Sequence, residues 1–158
     1  MKRFSRPVLS AILCGGLVAG TLDIGSAALI NWIDPSIILR AIASGLLGST
    51  SFQDGLRSAV LGLFLQWFMS ILIAACLVGA ARRIRMILRH WTLAGLLYGG
   101  VVFFVMNYIV VPLSRAPFGP SDFTAAKFVE NFLAMLLFGW IVAAFARLFL
   151  GHDGMKDL

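Results

Sequence analysis

Five polar side chains lie inside long apolar stretches of this sequence, where their types and spacing are suited to chemistry. A carboxylate in hydrocarbon costs about 3 kcal/mol or more, so it normally faces the protein interior and has a partner. Amides can satisfy it by hydrogen bonding, or it can bind a proton or a cation. The five candidates, which we expect to form one polar cluster, are Asp23, Gln66, Asn107, Glu130 and Asn131.

Other reactive side chains are less favourably placed. Cys14 and Cys76 both fall in apolar runs, and we interpret them as small buried residues. His90 lies at the end of an apolar segment and His152 in the polar tail, so neither suits haem ligation inside a bundle. No P-loop, nucleophile elbow, HExxH or dinucleotide-binding motif occurs in the sequence. The sequence therefore predicts no metal, no cofactor and no enzymatic activity.

The composition is that of a membrane protein. Hydrophobic residues make up 60% of the 158 residues and charged residues only 13%, whereas a soluble domain carries about 25% charged residues. The mean hydropathy is +0.95. Lipid must therefore be the solvent for much of the chain. The net charge of +6 comes from basic residues at the ends of apolar segments, which favours membrane topology over nucleic-acid binding.

The apolar segments predict an all-α, single-domain membrane protein over residues 1–158. Four of them are long enough to cross a hydrocarbon core of about 30 Å. A cleaved signal peptide is disfavoured at the first, because the apolar run is too long and contains Asp23. A shorter segment follows it, with Ser36, Arg40 and Ser44 on one face, and we expect it to be interfacial or half-inserted. The predicted spans are 7–33, 56–81, 91–111 and 124–150, and the predicted short helix is 36–48.

The distribution of basic residues predicts the orientation. Nine of the thirteen lysines and arginines fall on the side of the N-terminus, which the positive-inside rule assigns to the cytoplasm together with the C-terminus. This predicts a multi-pass protein of the bacterial inner membrane. The densest basic run serves either topology or binding of anionic lipid headgroups. It consists of Arg82, Arg83, Arg85 and Arg89.

Depth along the spans indicates which polar groups share a level. At about 1.5 Å per residue, Asp23 and Asn107 both lie about 24 Å from the cytoplasmic edge. Glu130 lies in the outer third, beside Asn131, and Gln66 lies near mid-membrane. Arg40 and Arg57 are candidate counter-ions near the outer surface. Two interpretations are open. In the first, the polar groups form a hydrogen-bonded network that fixes helix register. In the second, they line a hydrated outer vestibule in which Asp23 or Glu130 binds and releases a proton or cation.

Several motifs are similar to those of a known family. The stretches concerned are GTLDI at 20–24, ILRAIASGLLG at 38–48, GLLYG at 95–99 and VMNYIVVPLS at 105–114. They resemble a family of small bacterial inner-membrane proteins, the YagU-like proteins, and the resemblance covers most of positions 15–114. It implies a four-helix inner-membrane protein and carries no established catalytic residues.

Two functions are compatible with these patterns. The first is a structural or accessory role, in which the chain contacts the lipid bilayer and a membrane-protein partner or further copies of itself. The alternative is a transporter or channel-like protein that moves a proton, cation or small solute through the cluster of Asp23, Asn107 and Glu130.

Overall fold

The computed structural model describes residues 6–117 and 124–151, and within these ranges every regular element is a helix. Four of the helical segments are long and apolar enough to cross a membrane. The predicted all-α fold is confirmed, and the protein is a multi-pass membrane protein. The elements are α1 (Arg6–Asn31), α2 (Pro35–Leu47), a 3₁₀ turn (Gly48–Phe52), α3 (Leu56–Arg83), α4 (Arg85–Arg89), α5 (Trp91–Val105), a π-helical turn (Met106–Val110), α6 (Val111–Leu113) and α7 (Ala125–Leu150).

These bounds lie within two residues of the predicted ones at each end. The first span ends at Asn31 instead of residue 33, and the second extends to Arg83. The third continues past Pro112 to Leu113. Some residues of the sequence predictions lie outside the described ranges: Lys2, Arg3 and Lys156, which belong to the nine basic residues, and His152 in the tail.

The C-terminus of α1 is capped by two backbone hydrogen bonds that differ from the regular helical pattern. The N–H of Trp32 donates to the carbonyl of Leu29, and the N–H of Ile33 donates to that of Ala28, both at 3.2 Å. This pairing is a Schellman motif, which requires a left-handed residue after the helix. Trp32 has that conformation, with φ of 53°, although it is not glycine. The motif satisfies two terminal carbonyls and turns the chain directly into α2.

The long helices pack together as one bundle around a shared buried cluster. α1 contacts both α3 and α7, α7 contacts α5, and α2 lies against α3. A hydrogen bond from Tyr98 Oη to the carbonyl of Ile73, 2.7 Å long, joins α5 to α3. Ala19, Ala74, Phe138 and neighbouring residues form the main buried cluster between α1, α3 and α7.

Glycines mark the closest helix crossings. In the α5–α7 seam, Gly139 faces the backbone of Gly95 and Gly99, so that a Cβ at any of these positions would collide with the opposite helix. In the α1–α3 seam, Gly16 lies against the backbone of Ile71, 2.8 Å from where a Cβ would stand. Small residues let membrane helices approach closely where lipid supplies no hydrophobic force for association. The glycine pairs Gly16–Gly20 and Gly95–Gly99, each with the spacing GxxxG, therefore both lie in helix contacts.

The third span contains a widened turn before Pro112. Residues Met106–Val110 are π-helical, and the N–H of Val111 donates to the carbonyl of Met106 five residues earlier. Proline lacks an N–H and its ring crowds the preceding turn, so local widening is a common accommodation in membrane helices. The helix nevertheless continues to Leu113.

Helix α2 is held between two other parts of the chain. The carbonyl of Leu39 occupies the space that a side chain at Gly62 of α3 would need. At the other end of α2, the carbonyl of Gly45 accepts a 3.0 Å hydrogen bond from the N–H of Arg115. The short helix is thus packed against the first turns of α3 and against the segment that follows α6.

Replacement of Gly62 by alanine tests this crossing. A Cβ there collides with the α2 backbone, so we expect Gly62→Ala to lower the free energy of unfolding by about 1–3 kcal/mol, as overpacking does. Gly79, in the same helix, has no atom within 4 Å of its Cβ position, and Gly79→Ala is the matched control. It should be neutral or stabilising by up to about 1 kcal/mol. Denaturant titration in mixed micelles measures both; equal effects would contradict the close crossing.

The start of α2 should respond to acid. Asp34 caps the helix, its Oδ1 accepting a 2.8 Å hydrogen bond from the N–H of Ser36. Hydrogen bonding to Ser36, with a smaller contribution from Arg40, holds the pKa of Asp34 below its ordinary value of 3.8. The cap therefore stabilises α2 fully above that value and is lost as the pH falls through the lower folded-state pKa.

Hydrogen–deuterium exchange over 35–47, corrected for the intrinsic pH dependence of exchange, should show α2 loosening only below about pH 4. Asp34→Asn keeps an acceptor oxygen but has no group that titrates, so the protection of α2 from exchange in this variant should not change with pH in that range. Asp34→Ala should exchange faster at every pH. A native chain whose α2 protection is constant down to pH 2 would contradict the assignment.

Candidate functional site

One of the five predicted polar residues reaches another across a helix seam. Gln66 of α3 donates from Nε2 to Oδ2 of Asp23 in α1, at 2.8 Å, with a longer 3.5 Å contact to the carbonyl of Gly20. Asp23 lies eight residues, about 12 Å, before the C-terminal end of α1. The pair is therefore inside the length of both spans. Among the described residues the second carboxyl oxygen, Oδ1, has no hydrogen-bond partner.

Close packing of α1 on α3, one helical turn away, positions the Asp23–Gln66 pair. Gly20 lies against the side chain of Ser70, which is 2% exposed, so α1 and α3 approach each other directly below the carboxyl group. Beside it, Trp67 Nε1 donates to Thr21 Oγ1 at 3.2 Å, and that hydroxyl donates to the carbonyl of Leu17. The Gln66–Asp23 and Trp67–Thr21 hydrogen bonds thus fix the rotation of the two helices relative to each other.

Asn107 does not join the Asp23 pair. Its Nδ2 donates to the carbonyl of Phe103 in the preceding turn, at 2.9 Å. Asn107 is within the π-helical turn, and Phe103 is enclosed by the rings of Phe104, Phe128 and Phe132 at 5.1–5.6 Å between centroids. The level predicted for Asn107 did not specify which way its side chain points.

The polar residues of α7 form a separate group at the end of the bundle. Asn131 donates to the carbonyl of Lys127 at 2.7 Å. Lys127 Nζ in turn donates to the carbonyl of Ile30 at 2.9 Å and to Oδ1 of Asn31 at 2.7 Å. Glu130 is exposed, and it has no hydrogen-bond partner within residues 6–117 and 124–151. The predicted five-residue set is therefore divided into the Asp23–Gln66 pair, an isolated Asn107 and this terminal group.

The sequence reasoning missed the role of Lys127. The last carbonyls of a helix have no partner within it and carry partial negative charge, so a cation there is favourable. Lys127 supplies that cation to the end of α1 from the first turn of α7. The available signal was positional: residues 31 and 127 are both at the predicted outer ends of their spans, but level alone does not identify a contact.

Neither candidate counter-ion approaches Asp23. Arg57 is exposed at the start of α3. Arg40 is half-buried in α2, and its Nε is enclosed with no hydrogen-bond partner in the part of the chain that the structure describes. Among residues 6–117 and 124–151, Asp23 is therefore a carboxyl group held by one amide, with no cation beside it.

Cys14 of α1 and Cys76 of α3 were predicted to be buried, and this prediction is wrong: both are exposed on the outer faces of their helices. The predicted basic run is at the opposite end of the bundle. Arg82 and Arg83 end α3, and Arg85 and Arg89 are in α4, all four exposed. Within the described ranges, no group of three or more His, Cys, Asp and Glu side chains is arranged to hold a metal ion. Comparison with known proteins found no matching family model, curated protein or solved structure.

A double-mutant cycle tests the Asp23–Gln66 contact. We expect Asp23→Leu and Gln66→Leu to be coupled by about 0.6–1.7 kcal/mol in the free energy of unfolding, the range for hydrogen bonds between membrane helices. Asp23→Leu combined with Asn107→Leu is the control, and its coupling should be near zero because Asn107 bonds its own helix. Asp23→Asn should retain most of the stability, since it keeps the acceptor. A coupling with Asn107 equal to that with Gln66 would contradict this geometry.

Proposed function

We propose that this chain is a small structural or accessory protein of the bacterial inner membrane. The observation that carries the proposal is how the polar groups within the spans are used. Gln66 bonds Asp23 across a helix seam, whereas Asn107 donates to a carbonyl of its own helix. The first bond fixes the register and rotation of α1 against α3, and the second satisfies Asn107 within its own helix, so these polar groups do not converge on a substrate.

The charge distribution supports an orientation with both termini in the cytoplasm. Described basic residues cluster where α1 begins and where α3 and α7 end, which is the cytoplasmic side by the positive-inside rule. Membership of a YagU-like family is part of this proposal and rests on the motifs between residues 15 and 114.

A partner in the membrane completes the proposed role. Large apolar side chains cover the outer faces of the helices, for example Leu22, which is 52% exposed, and Phe64, which is 63% exposed. Such faces contact lipid, and they also allow a second copy or another membrane protein to pack against the bundle. The accessory role takes one of these two forms: a homo-oligomer or a subunit of a larger assembly.

One observation favours transport as a second candidate. Asp23 uses only Oδ2 in its bond to Gln66, and in the described residues Oδ1 is left without a hydrogen-bond partner. A free carboxyl oxygen within a span is a common feature of proton and cation pathways. A transporter would need this oxygen to meet water from one side of the membrane.

Flux and association measurements on the purified full chain discriminate between the two. Proteoliposomes carrying a pH-sensitive dye should leak protons at the rate of empty liposomes, and Asp23→Asn should not change this rate. Cross-linking in native membranes, before detergent extraction, should capture a second copy or a specific membrane protein. Glu130→Gln is the control for a carboxyl change outside the helix seam.

Opposite results would overturn the proposal. Flux above background that Asp23→Asn abolishes and Glu130→Gln preserves would assign transport. A chain that is strictly monomeric, and that cross-links to nothing in the membrane, would refute the accessory role.

A further inference from the structure

At one end of the bundle, the starts and ends of four helices meet. Val8 and Ile12 of α1, Val78 of α3 and Ala146 of α7 share a buried cluster, and Leu88 of α4 packs against it. Arg147 of α7 donates from Nη1 to the carbonyl of Leu88 at 2.9 Å, which joins α7 to α4 directly. The charged residues near these helix ends therefore belong to one surface.

The side chains of α4 point in two directions. Ile87 packs against the main buried cluster and Leu88 against the terminal one. Arg85 and Arg89, one helical turn apart and so on a common face, are exposed. Met86 is 68% exposed beside them, and Ile84, just before the helix, is 54% exposed. This five-residue helix is thus anchored by two apolar side chains and presents arginines with apolar neighbours.

The surface formed at this end is strongly basic. We define the basic patch as the exposed residues Arg6, Arg83, Arg85, Arg89 and Arg147. The described acids, Asp23, Asp34, Asp54 and Glu130, all lie elsewhere along the spans or at the other end. The sequence also places Asp153, Lys156 and Asp157 in the tail, outside the described residues. Positive charge without a described compensating acid is what an anionic surface recognises.

We propose that the basic patch binds the phosphodiester headgroup of anionic glycerophospholipids in the adjacent leaflet. Guanidinium groups match phosphate oxygens bidentately, and Arg85 and Arg89 offer two of them on one face. α4 connects the ends of two spans, so its arginines lie at headgroup level, and Ile84 and Met86 face the acyl region beside them. A lipid satisfies both the charged and the apolar part of this surface. The proposal does not depend on the accessory role.

Lipid selectivity is the direct test. The full chain is reconstituted in phosphatidylcholine vesicles, and electron spin resonance measures the motionally restricted fraction of spin-labelled phosphatidylglycerol and phosphatidylcholine. We expect phosphatidylglycerol to be enriched about threefold or more, since one arginine near an anionic surface changes binding by about fivefold. Raising the ionic strength to about 1 M, where the Debye length is about 3 Å, should remove most of the enrichment.

Substitutions locate the effect. Arg85→Gln/Arg89→Gln should abolish most of the enrichment, whereas Arg85→Lys/Arg89→Lys should keep the part that depends on charge alone. Arg57→Gln/Arg115→Gln removes two exposed arginines at the other end and should leave the selectivity unchanged. If the glutamine variant fails to fold, the lysine variant and the salt dependence of the native chain test whether the basic patch binds anionic lipid.

Three results would overturn the proposal. Equal restriction of both lipids by the native chain would show that the patch does not select anionic headgroups. Loss of the enrichment in the Arg57/Arg115 variant alone would move the site to the other end. Complete displacement of phosphatidylglycerol by about 10 mM inorganic phosphate would assign the patch to a soluble anion, because a lipid held also by its acyl chains should resist such competition.

Discussion

Close approach of helix backbones is the constraint on which the rest of this structure depends. Inside a bilayer, burying apolar side chains against each other gains little over burying them in lipid, so association depends on contact and on the few polar bonds. The glycines at 16 and 20 bring α1 onto α3, and those at 95, 99 and 139 bring α5 onto α7. Only helices that approach this closely allow a side chain as short as Gln66 to reach a carboxyl group on its neighbour.

The polar bonds between helices then fix the register of one helix against the next. A shift of α1 by one residue along α3 moves Asp23 about 1.5 Å and rotates it by about 100°, which takes it away from Gln66 and Thr21 away from Trp67. At the end of α1, Lys127 performs the same task for α7 by bonding the carbonyl of Ile30. Packing supplies the attraction between helices, and these bonds select one arrangement among several with similar apolar contact.

Hydropathy predicted the spans well because length and apolar character are one-dimensional properties, and each predicted end lies within two residues of the observed one. The glycine pairs 16/20 and 95/99 also lie in helix contacts, as small residues spaced by four often do in membrane helices. Depth counting was less informative for the site. It placed Asp23 and Asn107 at one level, but it carries no information on rotation about the helix axis, and the π-helical turn changes the rotation of Asn107 further. Gln66 was assigned a deeper level than Asp23, and yet it is the residue that bonds it.

The two ends of the bundle differ in how their charges are satisfied, and this difference follows from the same packing. At the end with α2, a cation is held by helix carbonyls, as at Lys127, and a carboxylate by a helix N-terminus, as at Asp34. Those bonds are internal and fix the fold. At the end with α4, Ile87 and Leu88 hold the short helix to the core by apolar contact and Arg147 bonds the carbonyl of Leu88, whereas Arg85 and Arg89 are exposed outside these contacts. Side chains that make no contact within the fold are free to bind the membrane surface. The difference between the two ends therefore follows from how each end is packed.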